Sequence, residues 1–178
     1  MLGKKGYDSM KICKYKFKGY EEYSTVSEKI FSDLFGSSND NSYFQLAVNE
    51  AVINAAKYSI YGINAAEIEI EIHVTDSDIS ISIHSVTKPF DVKKYRNQMK
   101  ILLNDPKVKD LDWGDYTAQT ERSRGFWYML TACDYLYMDI NGEEITLCVR
   151  KDSLNKQLTT RISQLVPRFL IRENGVIT

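Results

Sequence analysis

The sequence predicts an α/β fold of the α+β type: a two-layer α/β sandwich with helices on one face of a mixed, mostly antiparallel sheet. Residues 66–85 and 135–151 alternate apolar and polar side chains around turns at residues 76–78 and 141–142, which is typical of antiparallel hairpins. The stretches between them carry apolar residues at helical spacing. This element order in 178 residues indicates one domain with its helices packed on the apolar face of a sheet.

The chain opens with an expected strand followed by a helix. Residues 11–23, KICKYKFKGYEEY, alternate enough to predict the first strand. Apolar residues then recur at helical spacing, so we expect a helix over residues 24–35. Thr25 and Glu28 have the spacing of a capping box, and Gly36 is suited to end the helix.

The stretch from Phe44 to Gly62 predicts a second helix, with a broad apolar stripe rich in alanine and valine that suits close packing on a sheet. Glu50 and Asn54 lie four residues apart at the margin of this stripe, so they point the same way. One interpretation is a pair that acts together in chemistry. The alternative is a solvated polar pair at the edge of an amphipathic helix, the usual fate of such side chains.

The second half of the chain contains a long polar segment between two expected helices. Residues 91–105 have helical spacing, whereas residues 106–124 have no steady period. Such a segment inside a compact domain is typical of a functional loop or of disorder. Within it, Trp113 is either a hinge anchor or a partner contact, and another helix begins near Gly125.

We assign residues 1–151 to one domain and residues 152–178 to a C-terminal tail. In the tail, Leu154, Leu158 and Ile162 recur at helical spacing, which predicts a helix. Packing on the domain is the simpler interpretation of this helix. A surface for a dimer or a partner is the alternative.

The composition argues against several classes of function. Lys and Arg number 23 and Asp and Glu number 24, so a net charge of −1 gives no global attraction to nucleic acid or anionic membrane. No window approaches the roughly 20 apolar residues of a membrane span, and the first residues lack the apolar run of a secretory signal. Cys13, Cys133 and Cys148 are too widely spaced to indicate zinc or a disulfide. We therefore expect a cytoplasmic protein that contacts neither nucleic acid nor membrane.

The sequence NEAVINAAKYS, which contains Glu50 and Asn54, resembles the N box of the GHKL (histidine kinase-like) ATPase superfamily. It is most similar to the box E-A-V-x-N-A-x-x-H of bacterial anti-sigma factor serine/threonine kinases, with Tyr58 where that group often has His. RSRGFWYMLTACDYL is similar to the last glycine box, with Ser123 at its first glycine. Because the hairpin lies between these motifs as expected, the resemblance covers roughly residues 24–151.

The resemblance implies the Bergerat ATP-binding fold and a site for ATP and Mg²⁺. In the family the Asn holds the magnesium ion and the Glu is the general base, so these roles fall on Asn54 and Glu50. The helix start at Gly125 and Phe126 would receive the phosphates, and residues 106–124 would be the ATP lid. Two basic side chains are either further phosphate contacts or solvated loop charges: Arg122 and Arg124.

The middle box of the family, D-x-G-x-G, is replaced in this sequence. Ser85, Thr87 and Pro89 stand in its places, and Phe90-Asp91 resembles its G-F-D ending. In the family the Asp of this box accepts a hydrogen bond from the adenine amino group. Ser85 and Thr87 are therefore the corresponding candidates for contact with the base.

By resemblance, the protein transfers phosphate from Mg-ATP to a serine of a small antagonist protein, sequesters a sigma factor, or does both. We therefore expect a protein partner of one of these kinds, and a homodimer is one expected assembly. The replaced box residues favour an alternative. This is a non-catalytic protein-interaction module that keeps the fold and has lost nucleotide binding.

Overall fold

The computed structural model of the chain describes residues 11–36, 42–118, 124–154, 156 and 159–178. None of the helices in these ranges has the length and apolar character needed to cross a membrane. The helices are α1 (Gly19–Phe35), α2 (Ser42–Tyr58), α3 (Val92–Leu102), α4 (Trp113–Thr117), α5 (Arg124–Ala132) and α6 (Ile162–Leu165). The strands are β1 (Lys11–Lys18), β2 (Glu67–Val74), β3 (Asp78–His84), β4 (Tyr135–Asp139), β5 (Glu144–Arg150), β6 (Phe169–Glu173) and β7 (Val176–Ile177).

The strands form a seven-stranded sheet in the order β1-β2-β3-β5-β4-β6-β7. Neighbouring strands are antiparallel except β4 and β6, which run parallel. The mixed, mostly antiparallel sheet that the sequence predicts is therefore confirmed.

The two layers follow from the alternation of side chains along β2 and β3. Ile68, Ile70 and Ile72 are at most 2% exposed, whereas Glu67 and Glu69 in the alternating positions are exposed. Each buried isoleucine stabilises the fold by about 1.5–3 kcal/mol, so this face must be covered. Helix α2 packs on it, and the glutamate face is left to solvent. The predicted sandwich with helices on one face is confirmed.

Helix α1 begins earlier than the sequence predicts. It starts at Gly19, which has φ +76, and a Cβ at this position would lie 2.6 Å from the carbonyl oxygen of Asn64. Only glycine fits this close approach, and the chain turns there from strand to helix. Thr25 lies inside the helix and donates a hydrogen bond to the carbonyl of Glu22, so the predicted capping box with Glu28 is wrong.

The other helix and hairpin predictions agree with the structure. Gly36 ends α1 with φ +70, and α2, α3 and α5 occupy the predicted segments. Asp91 caps α3 by accepting a hydrogen bond from the Lys94 amide at 2.8 Å. Gly142 takes φ +74 in the turn of the second hairpin. The polar residues 39–42 offer candidates for the N-cap of α2. Ser42 is the first residue of the helix, and residues 39–41 lie outside the described residues.

The prediction of a helical tail is wrong for most of its length. After short 3₁₀ turns at Lys151–Ser153 and Val166–Arg168, and the single turn of α6, the chain forms β6 and β7. Phe169 and Ile171 of β6 are 0% and 3% exposed. Because β6 pairs with β4, the tail completes the same sheet as the preceding residues.

A matched pair of substitutions tests this role of the tail. Ile171→Ala removes a side chain that is 3% exposed and is expected to lower the free energy of unfolding by about 2–5 kcal/mol. Ile177→Ala, at 46% exposure in the same hairpin, should cost at most about 1 kcal/mol. Urea unfolding of both variants measures the difference. Equal, small effects would show that β6 is not part of the core.

Candidate functional site

Helix α2 is held by apolar packing on one side and by a hydrogen bond to α1. The side chains of Phe44, Ala47 and Val52 are 0% exposed and belong to the buried face of the helix. The Tyr23 hydroxyl donates to Asn49 Oδ1 at 2.5 Å, which ties α1 to the residue before Glu50. Burial raises the pKa of Tyr23 well above its usual value, so this hydroxyl keeps its proton and remains a donor.

Glu50 and Asn54 are partly buried at the margin of α2, as the sequence predicts. The Glu50 carboxylate lies against the start of α5. A Cβ on Gly125 would overlap its Oε2 atom and would lie 3.3 Å from its Cδ atom. A carboxylate at a helix N-terminus is favoured by the exposed amides and the helix dipole. The structure thus brings together two motif residues that are distant in sequence.

Tyr128 of α5 lies near Glu50, where α2 and α5 meet. Burial raises its pKa, and the Tyr43 hydroxyl and the Glu50 carboxylate add to the shift. The phenol therefore stays protonated and can donate a hydrogen bond. Tyr128 follows Gly125 by three residues on α5, so helical spacing from the glycine could have identified it.

Ser85 is the most unusual of the residues predicted to contact the base. It follows Ile83 on the inward phase of β3 and is 0% exposed. Its Oγ atom has no hydrogen-bond partner among the described residues. Leaving a buried hydroxyl without a partner costs about 1–3 kcal/mol, so such a group calls for a reason.

Thr87 has a structural partner in the folded chain. Its hydroxyl donates to the Gly142 carbonyl at 3.2 Å, and its backbone forms a bridge with Ser59 just after α2. These contacts fasten the segment after β3 to the end of α2 and to the turn between β4 and β5. The Thr87 side chain therefore stabilises the packing of these segments. Its contact with a nucleotide base stays a prediction.

The remaining candidate site residues near the start of α5 have different surroundings in the structure. Phe126 is 8% exposed and packs edge-on against Tyr95 and Phe169, with ring centroids 5.2 and 4.9 Å away. Its position is that of a core residue. Arg124 donates to the Ala118 carbonyl at 3.1 Å, which links the start of α5 to the end of α4. Arg122 lies outside the described residues.

The polar segment expected to be a lid is partly fastened to the tail. The Trp113 amide donates to the Thr160 carbonyl at 2.9 Å, and the Ile162 amide donates to the Leu111 carbonyl at 3.1 Å. Trp113 starts α4 and is partly buried against the core. Its role as a hinge anchor or as a partner contact stays a prediction. Residues 119–123, where a lid would connect to α5, are outside the described ranges.

The polar face of the sheet, opposite α2, forms a separate concavity of about 570 Å³. Its charged side chains form ion pairs with each other: Lys14 with Glu71 at 2.5 Å and Arg172 with Glu144 at 2.6 Å. Cys148 also lines it, and burial raises its pKa to about 11, so its thiol is a poor nucleophile. Within the described ranges, no group of three or more His, Cys, Asp or Glu residues could hold a metal ion.

The protein is a two-layer α/β domain. Its candidate site is Glu50 of α2, which lies against Gly125 at the start of α5, with Asn54 one helical turn along the same face of α2. No family model matches the chain. It is similar to the bifunctional protein FolD of two Clostridium botulinum strains, Eklund 17B / Type B and Alaska E43 / Type E3. Each is 25% identical over 167 residues, covering 84% of this chain and 54% of the relative. The chain thus spans about half the length of the curated relatives it matches.

A double-mutant cycle tests the contact between Glu50 and Gly125. In the wild-type background, Gly125→Ala should destabilise the fold by about 1 kcal/mol, because the new Cβ displaces the carboxylate. In a Glu50→Ala background the same change should be neutral or stabilising, since alanine favours the helix. We expect a coupling energy of about 1–2 kcal/mol from urea unfolding. Glu50→Gln is the control, because it keeps the steric conflict; additive effects in both backgrounds would contradict the contact.

Proposed function

We propose that this protein binds Mg-ATP between α2 and the start of α5, as a regulatory protein similar to anti-sigma factor serine/threonine kinases. One observation carries the proposal. The carboxylate of Glu50 lies against Gly125, so the N-box-like helix and the last glycine-box-like helix meet in the fold. A short motif alone is weak evidence, but two motifs that meet in space in the expected order are stronger.

The residues of the cleft fit this ligand in three respects. The amide oxygen of Asn54 is a hard donor of the kind Mg²⁺ prefers, and it lies one helical turn from a carboxylate. Gly125 carries no side chain, so the first amides of α5 can be approached closely. Ser85, on the inward phase of β3, offers a buried hydroxyl that no described residue hydrogen-bonds.

Each residue has a distinct role in the proposed reaction. When bound, Mg-ATP supplies the phosphoryl group that is transferred. Asn54 would be a ligand of the metal ion, and the amides at Gly125 would stabilise the negative charge of the phosphates. Glu50 then accepts the proton of the attacking serine hydroxyl, for which its carboxylate must move off Gly125. Tyr128 is placed to donate a hydrogen bond in the same cleft.

The proposal also names a partner and a location. The hydroxyl that is phosphorylated belongs to a serine of a protein partner, of the sigma factor or anti-sigma antagonist type. A homodimer is the proposed assembly, and the cytoplasm, where ATP and transcription regulators occur, is the proposed location.

A second function is a protein-interaction module that has lost nucleotide binding. It is favoured by the position of Phe126, which is buried against Tyr95 and Phe169 instead of facing the cleft. The carbonyl contacts of Arg124 also favour it, because they give this side chain a structural role. Under this alternative, the polar groups on α2 serve folding and surface contacts only.

Nucleotide-dependent stabilisation separates the two functions. With ATP and Mg²⁺ at about 100 times the dissociation constant, the folded state should gain about 2.7 kcal/mol, seen as a rise in melting temperature. Asn54→Ala should abolish this rise, because the metal loses its protein ligand. Asn97→Ala, an exposed Asn on α3, is the control and should respond like the wild type. The absence of any rise in the wild-type protein at millimolar nucleotide would favour the interaction module.

Substitution of Ser85 tests whether its hydroxyl is kept for a ligand. Ser85→Ala removes a buried group without a partner, so the ligand-free protein should be as stable as wild type or more stable by about 1 kcal/mol. Its affinity for ATP should fall roughly fivefold, the equivalent of one hydrogen bond. Urea unfolding and calorimetry measure the two effects.

Ser82→Ala is the matched control for this substitution. The Ser82 hydroxyl lies 2.8 Å from Thr146 Oγ1 on the polar face of the sheet, so its loss should destabilise the fold without changing ATP affinity. Destabilisation by Ser85→Ala with unchanged affinity would show that Ser85 is structural.

A further inference from the structure

The end of α2 and the loop that follows it expose four large apolar side chains within six residues. Tyr58, Ile60, Tyr61 and Ile63, here called the Tyr58–Ile63 patch, are 52%, 50%, 55% and 46% exposed. Single exposed apolar residues are ordinary, but a contiguous set marks a binding surface more often. None of these residues takes part in the cleft between α2 and α5.

Backbone hydrogen bonds fix the shape of the patch from both sides. The Ile60 amide donates to the Val86 carbonyl at 3.1 Å, and the Lys88 amide donates to the Tyr58 carbonyl at 2.9 Å. On the other side, the Tyr20 amide donates to the Ile63 carbonyl at 3.3 Å. The apolar side chains are therefore presented on a held backbone, which lowers the entropy lost when a partner binds.

The charges closest to the patch in sequence are positive. Lys57 precedes it, with its Nζ atom 5.6 Å from the centroid of the Tyr58 ring, and Lys88 lies on the paired segment. Residues 57–66 and 86–90 contain no Asp or Glu. On the flanking elements, Glu22 accepts a hydrogen bond from the Lys18 amide at 2.6 Å, and Glu67 faces Lys18 across the β1–β2 ladder.

The exposed area suits a peptide segment better than a second copy of the chain. With half of each side chain exposed, at roughly 200 Å² for a large side chain, the patch presents on the order of 400 Å². A stable interface buries about 800 Å² on each partner. A symmetric contact would also bring Lys57 and Lys88 close to the same residues of the second copy, which is unfavourable.

We propose that the Tyr58–Ile63 patch binds a short amphipathic segment of a partner protein whose apolar anchors are flanked by acidic residues. The aromatic and aliphatic side chains provide the anchor sites, and Lys57 and Lys88 select the acidic partner. The proposed contact is with a peptide, so its test needs no ATP.

Selection from a displayed library of random peptides of about 15 residues, long enough for about four helical turns, tests the proposal. We expect the wild-type protein to enrich acidic peptides with apolar residues at helical spacing. A synthetic peptide from this pool should lose at least tenfold in affinity, by fluorescence anisotropy, to Ile60→Ser/Tyr61→Ser. The charge reversal Lys57→Glu/Lys88→Glu should have a similar effect and should shift the selection towards basic peptides.

Two variants on α3 are the matched controls. Ile101→Ser removes an apolar side chain that is 65% exposed, and Lys94→Glu/Lys100→Glu reverses two exposed charges. Both should bind the peptide like the wild type. The proposal is overturned if no peptide is enriched, if the pool is not acidic, or if the α3 controls weaken binding as much as the patch variants. It is also overturned if sedimentation shows a dimer that Ile60→Ser/Tyr61→Ser abolishes, since a second copy would then cover the patch.

Discussion

The close packing of α2 on the isoleucine face of the sheet is the constraint on which the rest of the structure depends. Ala47, Ala51 and Ala56 are at most 1% exposed, and their small side chains let the helix lie near the strands. This position fixes the direction of Glu50 and Asn54 at the helix margin. It also brings α5 so close that a Cβ at position 125 would displace the Glu50 carboxylate. The geometry of the cleft is therefore a consequence of core packing.

The polar groups of the molecule divide between two faces of the sheet with different physical roles. On the outer face, lysines and glutamates pair across strands in contact with solvent, where each pair contributes little to stability. On the helix side, Glu50, Ser85 and Tyr128 are wholly or partly buried. Burying a polar group there without a hydrogen-bond partner costs free energy of folding. On the helix side, Ser85 is the member of this set whose hydroxyl has no hydrogen-bond partner among the described residues.

A comparison of individual helices and strands shows where the local spacing of apolar residues is enough to predict the structure. The hairpin of β2 and β3 and the helices α2, α3 and α5 were predictable, because their apolar periodicity agrees with the burial they reach. The start of α1 was not, since it depends on the approach of Gly19 to Asn64 from a distant loop. The prediction for the tail was wrong because β6 forms by pairing with β4. A strand of five residues is too short for its side-chain pattern to predict that pairing.

The sequence by itself determined the class of fold, the inward and outward faces of the main strands, and the placement of Glu50 and Asn54 on one helix face. These properties depend on spacing along a single element. Tertiary structure alone decided that Glu50 lies against Gly125, that Phe126 enters the core and that the tail completes the sheet. It also decided that Ser85 is buried with no hydrogen-bond partner in the part of the chain that the structure describes. Each of these depends on contacts between residues far apart in the chain, and such contacts form only when the whole core is assembled.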